Sequence, residues 1–193
     1  MIENLAGGQA GMTSNVFLVD GDRTVLVDVG TGFDVVSAAR ERVDTVDAVV
    51  LTHTHPDHVG NLDAVTEAFD VNVWGYDPDQ EGVDRAIGDG ETVWIGDHEY
   101  EALHTPGHKD DHLCLYAPAA GVLFGGDLVF ANGGFGRTDL AEGDRATLIE
   151  SIERLYERVE GNLTELHVGH GPSVTTNPRQ DIELALQAAR MSV

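Results

Sequence analysis

At 193 residues and 41% apolar content, the chain is long enough for one globular domain, residues 1–193, with a substantial core. Its 34 acidic residues against 11 basic ones give a net charge of −23, spread along the chain as in halophilic proteins of high-salt cytoplasm; such a surface excludes nucleic acid and anionic membranes as partners. There is no run of about 18 apolar residues, and Met1-Ile2-Glu3-Asn4 lacks the basic and apolar regions of a signal peptide, so a soluble, cytoplasmic protein is expected.

Residues 15–20 and 24–29 read as two strands joined by the hairpin signal Asp20-Gly21-Asp22. Gly30-Thr31-Gly32 breaks the pattern, and 33–43 reads as a helix. The apolar run 46–51 predicts a buried strand, followed by a His-rich loop and one helix from Val59 to about Phe69. A strand at 71–76 precedes a surface loop over 77–90, rich in Asp, Gly and Pro. Strands follow at 91–95, 99–104, 112–117 and 122–124, then Gly-rich breaks through 125–136. Cys114, the only cysteine, lies in an alternating strand-like run and reads as a buried, inert thiol. Asp144 to Glu160 carries Leu148, Ile149, Ile152, Leu155, Tyr156 and Val159 at helical spacing. A short strand at 163–168 and a helix opened by Asn177-Pro178 and running to about Ala189 complete the chain. Strands bracketed by helices predict a sheet sandwich with helices on its outer faces.

The densest chemistry lies in Leu51-Thr52-His53-Thr54-His55-Pro56-Asp57-His58, on a strand-to-helix loop. Imidazoles and a carboxylate this close together call for a cation between them. His108, Asp127 and His170 each end a strand-like run in a Gly-rich segment, a shared setting that predicts convergence on the same edge. A catalytic zinc takes about three protein ligands and leaves a position for water. His53, His55 and His108 make one such set and Asp57, His58 and His170 a second, with Asp127 bridging two divalent ions. Zinc is the expected metal; iron and manganese accept the same mixed donors. A bridging water would ionise to hydroxide near neutral pH and attack a carbonyl, with Asp57 holding one ion and orienting the hydroxide.

This ligand pattern resembles the metallo-β-lactamase superfamily over nearly the whole chain. The resemblance implies an α/β fold, a four-layer αβ/βα sandwich of two mixed β-sheets with outer helices and metals at one edge. Thr105-Pro106-Gly107-His108 and His55-Pro56-Asp57-His58 are similar to the glyoxalase II (hydroxyacylglutathione hydrolase-like) branch, whose members hydrolyse thioesters of hydroxy acids. With only 23 residues after His170, the chain resembles a short form without that branch's C-terminal helical domain. Gly134-Phe135-Gly136-Arg137-Thr138-Asp139-Leu140 looks more like shorter hydrolases of the group and persulfide dioxygenases, which use one iron on two His and one Asp, here matching His53, His108 and Asp127. The leading expectation is a metal-dependent hydrolase of a small-molecule thioester; the alternative is a mono-iron persulfide dioxygenase. A non-enzymatic metal-binding scaffold is a third reading, against which the intact ligand set argues.

The resemblance also places Asp28 close to the His-rich loop, where it would accept the second ring N–H of a metal-bound imidazole. Lys109 and Arg137 are the bases nearest the ligands in sequence, and either could hold a substrate carboxylate; pairing of Arg137 with Asp139 or Asp144 and solvation of Lys109 are the competing expectations. His98 reads as solvent-facing, His104 and His167 as packing residues or supports behind the ligands, and His112 as a packing residue that could reach the pocket rim. No dedicated cofactor site beyond the metals is apparent, and nothing points to a particular oligomeric state.

Overall fold

The computed structural model describes residues 1–7, 12–159 and 161–191. The first sheet contains β1 (Ile2–Asn4), β2 (Phe17–Val19), β3 (Val25–Val27), β4 (Ala48–Val50), β5 (Val73–Gly75) and β6 (Arg85–Ala86), in that order. Its first three strands run antiparallel, and β3 to β6 run parallel. The second sheet begins with β7 (Thr92–Ile95), β8 (His98–His104), β9 (Leu113–Ala117) and β10 (Val122–Gly126). After a small hairpin of β11 (Val129–Phe130) and β12 (Gly134–Phe135), β13 (Glu165–Val168) joins it, giving the order β13-β10-β9-β8-β7. Only β13 and β10 pair in parallel there.

Alternation along the strands separates three cores. Val25, Val27 and Val50 face Tyr100, Leu113, Leu115 and Phe124 between the sheets. Leu26, Val49 and Leu51 point the other way, towards α1 (Val35–Arg40) and, after the short α2 (Pro56–Val59), α3 (Leu62–Phe69). On the far side, Cys114, Tyr116, Leu123 and Leu166 lie beneath α4 (Arg145–Arg158) and α5 (Pro178–Met191). Strands buried on both faces read as continuous apolar runs, which is why the sequence announces them clearly. The result is two mixed sheets between outer helices, the expected four-layer sandwich. Among the described residues, no helix is long and apolar enough to cross a membrane.

The structure departs from the sequence reading in five places. The helix expected from Val59 to Phe69 is interrupted at Gly60-Asn61. Asn61 donates its N–H to the Gly30 carbonyl and its side-chain amide to the Val29 carbonyl, and a Cβ on Gly60 would lie 2.3 Å from Thr31 Oγ1. The chain must bend there to clear the turn after β3. The 77–90 loop contains the exposed two-residue β6, and the Gly-rich stretch after β10 folds as the β11–β12 hairpin around a turn at Ala131–Gly133. β1 pairs with β2 although its three residues carry no strand pattern. The helix expected to reach Glu160 ends at Arg158, and Glu160 lies outside the described residues.

Strand direction positions the site. β8 and β10 share a direction because β9 lies antiparallel between them, and β13 is parallel to β10. The segments leaving β8, β10 and β13 therefore begin at one edge of the second sheet. α4 supports this edge: Asp144 Oδ1 caps the helix by accepting the Thr147 N–H (2.7 Å), and its own N–H reaches the Gly107 carbonyl (2.8 Å), one residue before His108. Leu148, Ile152 and Leu155 form the buried stripe. Leu148→Ala should cost about 2–5 kcal/mol through the cavity it leaves, and Asp144→Ala about 1 kcal/mol through the lost cap. Denaturant unfolding of the two variants checks this ordering, and equal losses would contradict it.

Candidate metal centre

The His-rich loop is anchored before its first histidine. Asp28, at φ 57° just after β3, accepts the Thr52 N–H on Oδ1 and the Thr52 hydroxyl on Oδ2, each at 2.8 Å. The same Oδ2 accepts His58 Nδ1–H at 2.8 Å. Two β-branched neighbours, Thr52 and Thr54, keep the segment extended until Pro56 opens α2, which carries Asp57 and His58.

Hydrogen bonds on the far side of the His53 and His108 rings aim the other nitrogen of each inward. Thr52 gives its hydrogen to Asp28, so Thr52 Oγ1 accepts from His53 Nδ1 (3.1 Å) and the lone pair of His53 lies on Nε2. The Arg137 carbonyl accepts His108 Nδ1–H at 2.9 Å, leaving His108 Nε2 likewise. His53 Nε2 and His55 Nδ1 are 3.1 Å apart, near the roughly 3.3 Å edge between nitrogens on a tetrahedral zinc.

The chain brings all seven sequence-derived candidates together. Among the described residues, three groups have ligand atoms within 4.8 Å of one another: His53, His55 and His108; His53, His58 and Asp127; and Asp57, His58 and His170. Asp127 joins them, with Oδ2 3.5 Å from His108 Nε2 and 3.4 Å from His170 Nε2, and Oδ1 3.5 Å from His58 Nε2. Asp57 Oδ2 lies 3.0 Å from His170 Nε2. Among the described residues, His58 Nε2, His108 Nε2 and Asp127 Oδ1 are buried without a hydrogen-bond partner. Orphaned buried donors and acceptors are rare and costly, and one set of cations would satisfy all three. The donor set therefore fits divalent metal.

The protonation pattern points the same way. Burial holds His53 well below the usual histidine range and lowers His55 to about 4. Burial also opposes a charge on His58, but Asp28 and Asp127 outweigh it and push the ring up to about 10. Hydrogen bonds to Asp127 and Asp57 raise His170 to about 9. Burial works against an ionised Asp127, yet His170 and His58 hold it well below the ordinary carboxylate value. Without a cation, protons thus take the positive role on one side of the cluster. A cavity of about 880 Å³ opens over His55, Asp57, His108, Asp127 and His170, with Met12, Phe130, Phe135 and Leu140 among its other walls.

Other expectations fare unevenly. Asp28 stands behind His58, accepting its Nδ1–H. Lys109 does not face the cavity: it is buried, with Nζ 3.1 Å from Asp110, 3.5 Å from Asp111 and 3.1 Å from Glu142, because these carboxylates offer a better setting than an apolar wall. Arg137 lines the cavity, but its guanidinium forks onto Asp139 with two 2.7 Å bonds. His98 is exposed, His104 stacks on Tyr76, and His167 lies between Phe17 and Phe124 while bonding Ser173 and Glu165. His112 is fully buried and does not reach the cavity rim. Thr52 and Asp111, which accepts the Thr54 hydroxyl at 2.6 Å, were not singled out in the sequence; adjacency of Thr52 to His53 was the only signal for the first, and none existed for the second.

Two outcomes follow for the purified protein. A Cβ on Gly169 would fall 2.0 Å from Asp127 Oδ1, so Gly169→Ala should abolish the zinc-dependent rise in Tm, worth about 2.7 kcal/mol at a hundredfold excess over Kd in the unaltered chain. Metal must also displace protons held on His58 and His170 above the ordinary 6.5, so uptake at about pH 8 should release them. Calorimetry in buffers of different ionisation heat counts that release, and a value of zero would contradict the assigned protonation.

Comparison with known proteins follows the same lines. The sequence matches the Metallo-beta-lactamase superfamily over residues 10–176. A Bacillus subtilis protein described as probable metallo-hydrolase YqgX is 34% identical over 189 residues, covering 86% of this chain and 88% of that protein. Hydroxyacylglutathione hydrolase of Klebsiella pneumoniae is 36% identical over 143 residues, 73% of this chain, and the chain spans only 55% of that enzyme's length. The solved structure of TTHA1623 in a di-iron-bound form superposes with a TM-score of 0.75 at 28% identity, covering 97% of this chain and 96% of the other. With its fold, its clustered His and Asp side chains and a family match across most of its length, the chain belongs to the metallo-beta-lactamase superfamily.

Proposed function

We propose that the chain is a metal-dependent hydrolase that cleaves a small-molecule thioester, using two divalent ions, preferably zinc. His53, His55 and His108 would hold one ion, Asp57, His58 and His170 the other, and Asp127 would stand between them. The observation that carries this reading is the buried Asp127 carboxylate, whose unpartnered Oδ1 lies near His58 while its Oδ2 lies near His108 and His170, so that it stands between imidazoles of both groups. Bound divalent cations lower the pKa of a coordinated water towards about 7 and polarise an acyl oxygen.

The chain's own groups do the rest. Asp57, half-buried on the cavity wall, can accept a hydrogen bond from the attacking water and so orient it. Asp28 keeps His58 turned inward. Met12, Phe130, Phe135 and Leu140 suit an apolar portion of the substrate. The name of the Klebsiella pneumoniae relative, hydroxyacylglutathione hydrolase, supports a thioester as the bond attacked. The acidic surface supports a small molecule over nucleic acid or membrane, and a high-salt cytoplasm as the setting.

In a persulfide dioxygenase with one iron on His53, His108 and Asp127, the grouping of Asp57, His58 and His170 would have no ion to hold. Such dioxygenases also resemble this chain in the His-rich loop, so the metal count, and not this grouping, separates the two readings. Natively purified protein should contain two ions per chain and release thiol from a hydroxyacyl thioester, and chelation should abolish the release. Asp127→Asn should lower turnover by more than the roughly 10–100-fold typical of residues behind metal ligands. One iron per chain, with oxygen consumed on a thiol persulfide, would overturn the hydrolase reading.

A further inference from the structure

His112 is buried at 0% exposure among the proposed ligands, its ring centroid 5.2 Å from that of His53 and 6.4 Å from that of His108. Its position invites a reading as another ligand, but its hydrogen bonds exclude that. The backbone N–H of Asp127 points at His112 Nε2, 3.0 Å away. A backbone N–H can only donate, so Nε2 carries the lone pair and Nδ1 the proton. Nδ1–H is given to Thr105 Oγ1 at 2.8 Å. Thr105 in turn directs its hydrogen to Cys114 Sγ or the Leu103 carbonyl, each at 3.4 Å. Both ring nitrogens are committed, and the tautomer is set by the surrounding chain.

The contact falls at the one place where β10 must turn its carboxylate into the site. Gly126 has φ 48°, and a Cβ there would lie 2.5 Å from His112 Nε2, so ring and backbone close on each other with no room to spare. The Gly126 carbonyl accepts the Gly169 N–H at 2.7 Å, tying the same turn to the loop that carries His170. Segment 111–113 also meets the first ligand loop: the Leu113 N–H reaches the Thr52 carbonyl at 2.7 Å, and Asp111 takes the Thr54 hydroxyl. His112 thus stands where three ligand-bearing segments meet.

We infer that His112 is a positioning residue: by accepting the Asp127 N–H on Nε2 it sets where the Asp127 carboxylate stands between the two proposed ions. This inference rests on the metal-centre reading. A ligand constellation tolerates displacements of only about 0.5 Å, and a lost acceptor would also leave the Asp127 N–H buried without a partner.

The test is Co²⁺ binding to metal-free protein, titrated against a competing chelator and followed by the visible spectrum of the bound ion. His112→Leu should weaken binding by about 10–100-fold and alter the spectrum, whereas His112→Gln, which keeps an acceptor at similar reach, should stay within about threefold of the unaltered protein. Thr105→Val serves if the Leu variant does not fold: it keeps the ring but removes the group that receives Nδ1–H, and should also weaken binding and shift the spectrum. Unchanged affinity and spectrum in folded His112→Leu, or in Thr105→Val where the former does not fold, would overturn the inference alone. Equal losses in the Leu and Gln variants would overturn it too, since loss of packing would then explain both. Failure of the unaltered protein to bind Co²⁺ would overturn the metal centre itself and this inference with it.

Discussion

A carboxylate buried among imidazoles is costly unless positive charge sits beside it, and Asp127 imposes that condition on the whole edge of the sandwich. One oxygen lies near His58, the other near His108 and His170. Protons on His58 and His170 can meet the demand, but among the described residues His58 Nε2, His108 Nε2 and Asp127 Oδ1 then find no hydrogen-bond partner. Divalent cations meet it for every donor at once. The proposed chemistry is therefore the other face of an electrostatic requirement built into the interior.

The sandwich answers a geometric requirement with strand direction. Two histidines follow β4 of the first sheet, and the remaining donors come from α2 and from segments leaving β8, β10 and β13. Each segment is short, so the error in placing a side chain is small compared with that of a long loop. The supports behind the ligands are equally local. Asp28 fixes Thr52 and His58, the Arg137 carbonyl fixes His108, and the His112 ring meets the backbone of Asp127. Residues with little sequence distinction thus decide which nitrogen of His53, His58 and His108 faces inward.

Charge is divided between surface and interior. The surface carries most of the acidic excess, while Lys109 is drawn inside by Asp110, Asp111 and Glu142, and Arg137 is occupied by Asp139. Neither base is left as a free anchor for a substrate anion at the cavity. Recognition would then fall to the apolar wall and to the ligand cluster itself, in keeping with an uncharged acyl group presented to the proposed ions.

The amino-acid sequence by itself determined the layered architecture, because strands buried on both faces must be continuously apolar and outer helices must carry an apolar stripe. It also singled out the seven His and Asp candidates, since such density in a short loop, repeated after Gly-rich strand ends, has few other physical uses. The tertiary structure alone decided the break at Gly60-Asn61, the pairing of β1 with β2 and of β6 with β5, and the hairpin after β10, all set by what each segment meets across space. It alone separated His53, His58 and His108, each with one nitrogen facing the cluster, from His112 and His167, whose nitrogens are both taken. A residue's protonation and orientation depend on partners such as Asp28, Thr105 and the Asp127 backbone, and those partners become neighbours only when the chain has folded.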